Sequence, residues 1–172
     1  MPELLSLDDI RAAAIRIASV ARVTPLLEAR ALCAWGGSNA VPLLLKCENL
    51  QVGGAFKIRG AYNMASGLPE SVRRRGLLTY SSGNHGLAIA ITARLLGVPA
   101  VLVMPTTGPA EKAEGARALG AEVLFERPTT TERKGRAEPE AARGADTRPC
   151  AKPPAPRCLR ETLRRTPTTF VE

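Results

Sequence analysis

The sequence predicts an α/β fold with an open, mostly parallel sheet and helices on its faces. Two observations support this prediction. Short apolar runs alternate with helical segments between residues 77 and 125, and glycines and prolines stand where one element changes to the next. Because parallel neighbours in a sheet need a crossover, usually a helix, this alternation favours right-handed β–α–β units.

The elements before this region are less regular. Ser6 followed by Asp9 predicts a capping box. The helix it opens is expected over 7–18, because its apolar residues recur on one face. The tripeptide Thr24-Pro25-Leu26 ends that element.

The next elements follow from apolar runs and their stop signals. The apolar run 42–47 predicts a strand, and residues 56–66 have helical character with Gly67 as their stop. The alternating region then predicts a strand over 77–80, a polar turn over 81–86, and a helix that runs to Leu96 and is closed by Gly97. After it come a strand over 100–104, a helix opened by Pro109 and closed by Gly120, and a strand over 122–125.

The composition changes after Lys134. Residues 135–172 contain six of the fourteen prolines and keep neither strand nor helix periodicity. Such a segment cannot bury enough apolar area to offset its ordering entropy. We therefore expect residues 135–172 to be a disordered basic tail.

The composition also narrows the classes of function. The net charge is +8, but the basic residues are scattered without interleaved aromatics, which disfavours nucleic acid as a partner. Four cysteines in no zinc or disulfide spacing, with a single histidine, disfavour a metal site. Apolar runs are too short for a membrane span. The first residues lack a signal-peptide pattern, so we expect a cytoplasmic protein.

One segment that could carry chemistry runs from Gly53 to Ala61. Its glycines allow the backbone to pass close to a bulky group. Lys57 stands at the predicted start of a helix, between the apolar Phe56 and Ile58. An apolar environment and the positive end of a helix favour the neutral amine that a Schiff base requires. A solvated surface lysine is the alternative.

The second such segment, Ser81 to Gly86, follows a strand and opens a helix. Unpaired backbone N–H groups at that position suit an anion such as a carboxylate or a phosphate. Taken singly, Ser81 or Ser82 would be a helix cap, Asn84 a turn residue and His85 a structural histidine.

In this order, the two segments resemble those of the pyridoxal-phosphate-dependent serine/threonine dehydratases, relatives of the tryptophan synthase β-subunit (fold type II). Further runs share the resemblance: Thr24-Pro25-Leu26, Leu45 to Gln51, Met104-Pro105, and Glu114 to Val123. The resemblance covers about residues 5–134. It implies a tryptophan synthase β-like fold, with residues 1–54 in the larger domain and residues 55–134 in the smaller, cofactor-binding domain.

The resemblance also implies roles for single residues. Lys57 would form the Schiff base with pyridoxal 5'-phosphate, with Phe56 beside it, and would then remove the α-proton. Asn84 would hydrogen-bond the 3-hydroxyl of the cofactor. Ser82, Gly83, Asn84 and His85 would surround the substrate carboxylate. Ser82 matches the serine that serves as the opposite-face acid/base in the family's racemases.

The implied activity is loss of water from L-threonine or L-serine, which gives a 2-oxo acid and ammonia. A serine racemase and a non-catalytic remnant or interaction fragment are the alternatives. The Gly-rich phosphate loop of the family is missing from the sequence. We therefore expect an incomplete fold from a truncated or frameshifted product, weakly active or inactive, with exposed apolar surface that favours homo-oligomers. A native basic tail that binds an acidic partner is the other interpretation of 135–172.

Overall fold

The computed structural model describes residues 5–29, 43–126 and 169–170. Its first helix, α1 (Leu7–Ile17), begins at the predicted capping box. The Asp9 amide donates to Ser6 Oγ at 3.1 Å, and the Ser6 amide donates to Asp9 Oδ2 at 2.9 Å. Each satisfies an amide donor that the helix leaves unpaired. The Ser6 hydroxyl also donates to Asp9 Oδ2 at 2.6 Å, and this bond, together with that of the Ser6 amide, lowers the pKa of Asp9.

A two-stranded antiparallel ribbon follows α1, in which β1 (Leu26–Glu28) pairs with β2 (Leu44–Lys46). The strand predicted over 42–47 is confirmed as the shorter β2. The sequence prediction had no counterpart for β1, because Pro25 marked only a break. Two single-turn 3₁₀ helices, Glu48–Leu50 and Val52–Gly54, connect the ribbon to the next helix.

The main sheet contains β3 (Leu77–Tyr80), β4 (Ala100–Pro105), β5 (Glu122–Glu126) and β6 (Thr169–Phe170). It is parallel, and its strand order is β5-β4-β3-β6. The three predicted strands are confirmed. Most of the predicted tail lies outside the described residues. At Thr169–Phe170, however, the backbone forms β6 beside β3.

The helices are α2 (Lys57–Gly67), α3 (Glu70–Arg73), α4 (Asn84–Leu96) and α5 (Ala110–Ala118). The predicted polar turn over 81–86 is too long, because α4 already begins at Asn84. The expected stop at Gly97 is confirmed, since this residue adopts φ +66°. The single turn α3 was not predicted from the sequence.

The core lies between the parallel sheet and the helices α2 and α4. Small and aliphatic side chains build it, as the scarcity of aromatics requires; its largest members include Ile58, Leu77, Ile89 and Met104. The N-terminal ribbon is different, because its leucines are about half exposed. Among the described residues, no helix has the length and apolar character needed to cross a membrane.

Candidate active site

The parallel sheet brings two loops to one edge. The loop 81–83 follows β3 and the loop 106–109 follows β4, and the two strands run in register from Leu77 beside Ala100 to Tyr80 beside Val103. The carboxyl ends of parallel strands meet at the same edge, where open α/β sheets bind their ligands. The loop that holds the predicted carboxylate site is therefore at this edge.

The start of α4 is built as a tight turn. The Gly83 amide donates to Ser81 Oγ at 3.2 Å, and α4 begins at the next residue. The first amides of a helix have no partner within it and point out along its axis. Ser82 and Asn84 are exposed, and His85 is half-buried. The predicted carboxylate-binding residues thus share one turn at the positive end of a helix.

Gly86 lets α4 lie close to the sheet. A Cβ at this position would be 2.5 Å from Leu102 Cδ1 and 2.8 Å from Leu102 Cδ2 on β4. No side chain fits in that space without displacing Leu102. The glycine of this motif therefore determines how deeply the helix that carries the site is seated.

Lys57 begins α2 and is exposed. Its Nζ lies 4.9 Å from the centre of the Phe56 ring, a distance at which an ammonium and an aromatic face attract each other. The next residue, Ile58, is fully buried and anchors the helix in the core. The side chain is thus solvent-exposed at the helix start, as in the alternative interpretation, and the apolar environment expected for Lys57 does not enclose it.

The approach to Lys57 packs against α4 through a glycine. Gly53 has φ +76°, and a Cβ there would be 2.9 Å from Ile91 Cδ1 of α4. Both the left-handed backbone and the close approach require glycine. The helices α2 and α4 also pack on each other directly. The two segments that resemble the family's motifs are therefore parts of one packed unit.

A partly buried ion pair ties α2 to the residues before it. Arg59 Nη2 donates to Glu48 Oε1 and Arg59 Nε donates to Glu48 Oε2, both at 2.8 Å. Thr24 Oγ1 donates to the same Oε1 at 2.5 Å. The Arg59 bonds, and then the Thr24 bond, lower the pKa of Glu48 from 4.5 to about 2. The hydrogen bonds to Glu48 raise the pKa of Arg59 in turn.

Gln51 completes this network. Its Oε1 accepts from the amides of Arg22 at 2.8 Å and Val52 at 2.9 Å, and its Nε2 donates to the Arg22 carbonyl at 2.9 Å. Lys46 Nζ donates to the Thr24 carbonyl at 2.6 Å. Three separate runs noted in the sequence meet in this network: the run around Thr24, Leu45 to Gln51, and Gly53 to Ala61.

Two contributors to the site carried no signal in the sequence. Arg59 lies within the Gly53 to Ala61 segment, but no role could be predicted for it. Its partner Glu48 precedes it by eleven residues, and no local pattern joins the two. Lys112, in the first turn of α5, donates from Nζ to Asn84 Oδ1 at 2.8 Å. A basic residue on a helix gave no signal that it would reach the start of another.

The described residues contain no cluster of three or more metal-ligating side chains. The predicted site residues occupy two places, the start of α2 for Phe56 and Lys57 and the start of α4 for Ser82 to His85. The geometry joins these places through packed helices. The chemical roles assigned to these residues stay predictions.

Comparison with known proteins identifies the relatives of this chain. The sequence profile of a family described as "Pyridoxal-phosphate dependent enzyme" matches residues 17–151. An L-threo-3-hydroxyaspartate ammonia-lyase from Pseudomonas sp is 45% identical over 123 residues, which are 72% of this chain and 38% of that protein. A serine racemase from Schizosaccharomyces pombe is 41% identical over 118 residues, 69% of this chain and 36% of that protein.

Among solved structures, the serine racemase of maize matches with a TM-score of 0.73 and 35% identity, over 80% of this chain and 41% of that one. This match confirms the predicted α/β fold class. The chain spans little more than a third of the length of the two curated relatives.

Proposed function

The chain belongs to the family of pyridoxal-phosphate-dependent enzymes, and from this we propose that it acts as an ammonia-lyase on L-threonine or L-serine. The products are a 2-oxo acid and ammonia, formed by loss of water and then hydrolysis. The observation that carries the proposal is the placement of Lys57. Its exposed amine begins a helix that is anchored in the core by Ile58 and tied to the chain before it by the Glu48–Arg59 pair.

The donor groups at the two helix starts suit this cofactor. Lys57 offers a primary amine for the aldehyde carbon, and Asn84 offers a carboxamide N–H for the ring 3-hydroxyl oxygen. The first amides of α4 suit the substrate carboxylate, together with Ser82, Gly83 and His85. Phe56 lines the site beside the amine. When bound, the cofactor supplies the electron sink for the carbanion formed at the α-carbon.

In this proposal the protein moves one proton and holds one anion. Lys57 removes the α-proton, since its amine is the base at the start of α2. The positive end of α4 holds the carboxylate in place, which fixes the Cα–H bond relative to Lys57. Lys57 gives that proton to the departing β-hydroxyl, which leaves as water.

A serine racemase is the second candidate. Ser82 is exposed in the turn before α4, where a hydroxyl could return a proton to the face opposite Lys57. The similarity to a serine racemase supports this candidate. The two activities are distinguished by product, because the lyase releases a 2-oxo acid whereas the racemase releases a D-amino acid.

The test begins with cofactor binding by the whole chain. Pyridoxal phosphate is added to the purified protein, the visible absorbance is recorded, and borohydride reduction followed by peptide mapping identifies the modified lysine. We expect the label on Lys57 and its loss in Lys57→Arg, which keeps the charge but cannot form the Schiff base. Lys46→Arg is the matched control, because Lys46 serves the N-terminal ribbon, and it should label normally.

Product assays follow with L-threonine, L-serine and L-threo-3-hydroxyaspartate. Formation of a 2-oxo acid that is lost in Lys57→Arg supports the lyase. D-serine without a 2-oxo acid supports the racemase. Labelling spread over several lysines, or a Lys57→Arg protein that labels like the wild type, would refute the proposed site and favour a non-catalytic remnant.

A further inference from the structure

One hydrogen bond crosses between the helices that flank β4. Lys112 is half-buried in the first turn of α5, and its Nζ lies 2.8 Å from Oδ1 of Asn84, the first residue of α4. The two helices pack against each other, so this bond joins elements that are fixed in place. Its acceptor, Asn84, is the residue that the proposed function places against the 3-hydroxyl oxygen of the cofactor ring.

The chemistry of the pair determines the orientation of the carboxamide. A lysine ammonium has three donors and no acceptor, so the atom facing it must be the carboxamide oxygen. An asparagine side chain without such a partner can present either its oxygen or its NH₂ group. With Lys112 in place, Asn84 Nδ2 is directed away from α5, and both of its N–H groups remain for another acceptor.

We propose that Lys112 is a positioning residue that holds Asn84 as a hydrogen-bond donor toward the ring oxygen of the cofactor. This inference rests on the proposed function, in which Asn84 contacts that oxygen. A positively charged group on the far side of the carboxamide also polarises it, and this strengthens its N–H groups as donors. The Lys112–Asn84 pair therefore favours the ionised form of the ring oxygen over the protonated form.

A bond that served only to tie α4 to α5 would have different consequences. Its loss would lower the stability of the protein but leave the bound cofactor spectroscopically unchanged. Positioning of Asn84 predicts instead a change in the ionisation of the ring oxygen. That ionisation sets the wavelength at which the bound cofactor absorbs, and the spectrum is measured without any turnover.

The experiment compares Lys112→Met, Lys112→Arg and Arg117→Met, each as the full chain titrated with pyridoxal phosphate. Methionine keeps the length and apolar stem of the lysine but removes its donors. Arginine keeps donors and, like lysine, has no acceptor, so it should restore the orientation of Asn84. Arg117 lies in the last turn of α5 over the Phe125 ring and serves as the control for removing a charge.

We expect Lys112→Met to weaken cofactor binding about tenfold, the loss typical of one hydrogen bond to a charged group. Its absorbance should shift toward the shorter-wavelength, protonated form. Lys112→Arg should recover most of both properties, and Arg117→Met should match the wild type.

Two outcomes overturn the inference. If Lys112→Met binds as tightly as the wild type with the same spectrum, Asn84 does not need Lys112. If Lys112→Arg loses cofactor binding and changes the spectrum as completely as Lys112→Met, a side chain that carries only donors does not orient Asn84, and the inference is overturned as well. Absence of a Lys57 adduct in the wild type refutes the proposed function itself, and is distinguished from these outcomes because it precedes any comparison of variants.

Discussion

Replacing Glu48 with glutamine tests the ion pair that anchors the lysine-bearing helix. Glu48 accepts two hydrogen bonds from Arg59 and one from Thr24. A neutral glutamine of the same shape keeps one acceptor oxygen but presents an NH₂ group where the second stood. The variant therefore resembles the protein with Glu48 protonated. The lowered pKa of Glu48 then indicates how much free energy of unfolding the variant loses.

The magnitude follows from that pKa. The difference between 4.5 and about 2 corresponds to about 3 kcal/mol of preference for the charged form in the folded state. The side chain of Glu48 is 19% exposed and that of Arg59 is 32% exposed, so water screens the pair in part. We therefore expect Glu48→Gln to lower the free energy of unfolding by about 2 kcal/mol.

The sign of the pH dependence follows as well. Because folding depresses the pKa of Glu48, its stabilisation is fully present above pH 4.5 and is lost as the pH falls from 4.5 towards 2. The difference in stability between wild type and Glu48→Gln should therefore be largest near neutral pH. It should shrink through this acid range, because both proteins then carry a neutral side chain at position 48.

Urea unfolding at a series of pH values measures both effects. Glu70→Gln is the matched control, because Glu70 pairs with Arg74 on the surface, where the two side chains are 61% and 70% exposed. Such a pair is worth about 0.5 kcal/mol or less. A Glu48→Gln protein that unfolds like Glu70→Gln, or whose deficit does not change with pH, would refute the reasoning.

Two further pairs of substitutions test the packing of the site. Gly86→Ala should destabilise the protein by about 1–3 kcal/mol, because its Cβ would overlap Leu102. Gly60→Ala, in open space within α2, should instead stabilise it by about 0.4–1 kcal/mol, and equal effects in thermal unfolding would contradict the packing described for α4. Gln51→Ala should lower the free energy of unfolding by about 3 kcal/mol, because it removes three hydrogen bonds of a buried side chain. Asn49 is exposed, so the control variant Asn49→Ala should change that free energy by less than about 0.5 kcal/mol in the same urea assay. Comparable losses in the two variants would mean that the Gln51 network contributes little.

The elements that could be predicted from the sequence are those that neighbouring residues determine. The capping box at Ser6, the strand over 77–80 and the helix stop at Gly97 depend on neighbouring residues, so periodicity and cap chemistry predict them. The strand β1 was missed because a three-residue strand exists only through its partner β2. The turn before α4 was predicted too long, because neither Asn84 nor His85 is a strong helix former and packing on the sheet decides where that helix begins.

The candidate site divides in the same way. Sequence alone determined the family, the cofactor that family uses and the identity of Lys57 as the candidate lysine, because glycines, a lysine and a polar turn at set positions are properties of the chain. Only the tertiary structure decided that Glu48 pairs with Arg59 and that Lys112 donates a hydrogen bond to Asn84. Both pairs join residues distant in sequence, and a hydrogen bond between them depends on how helices and sheet pack, which no local pattern specifies.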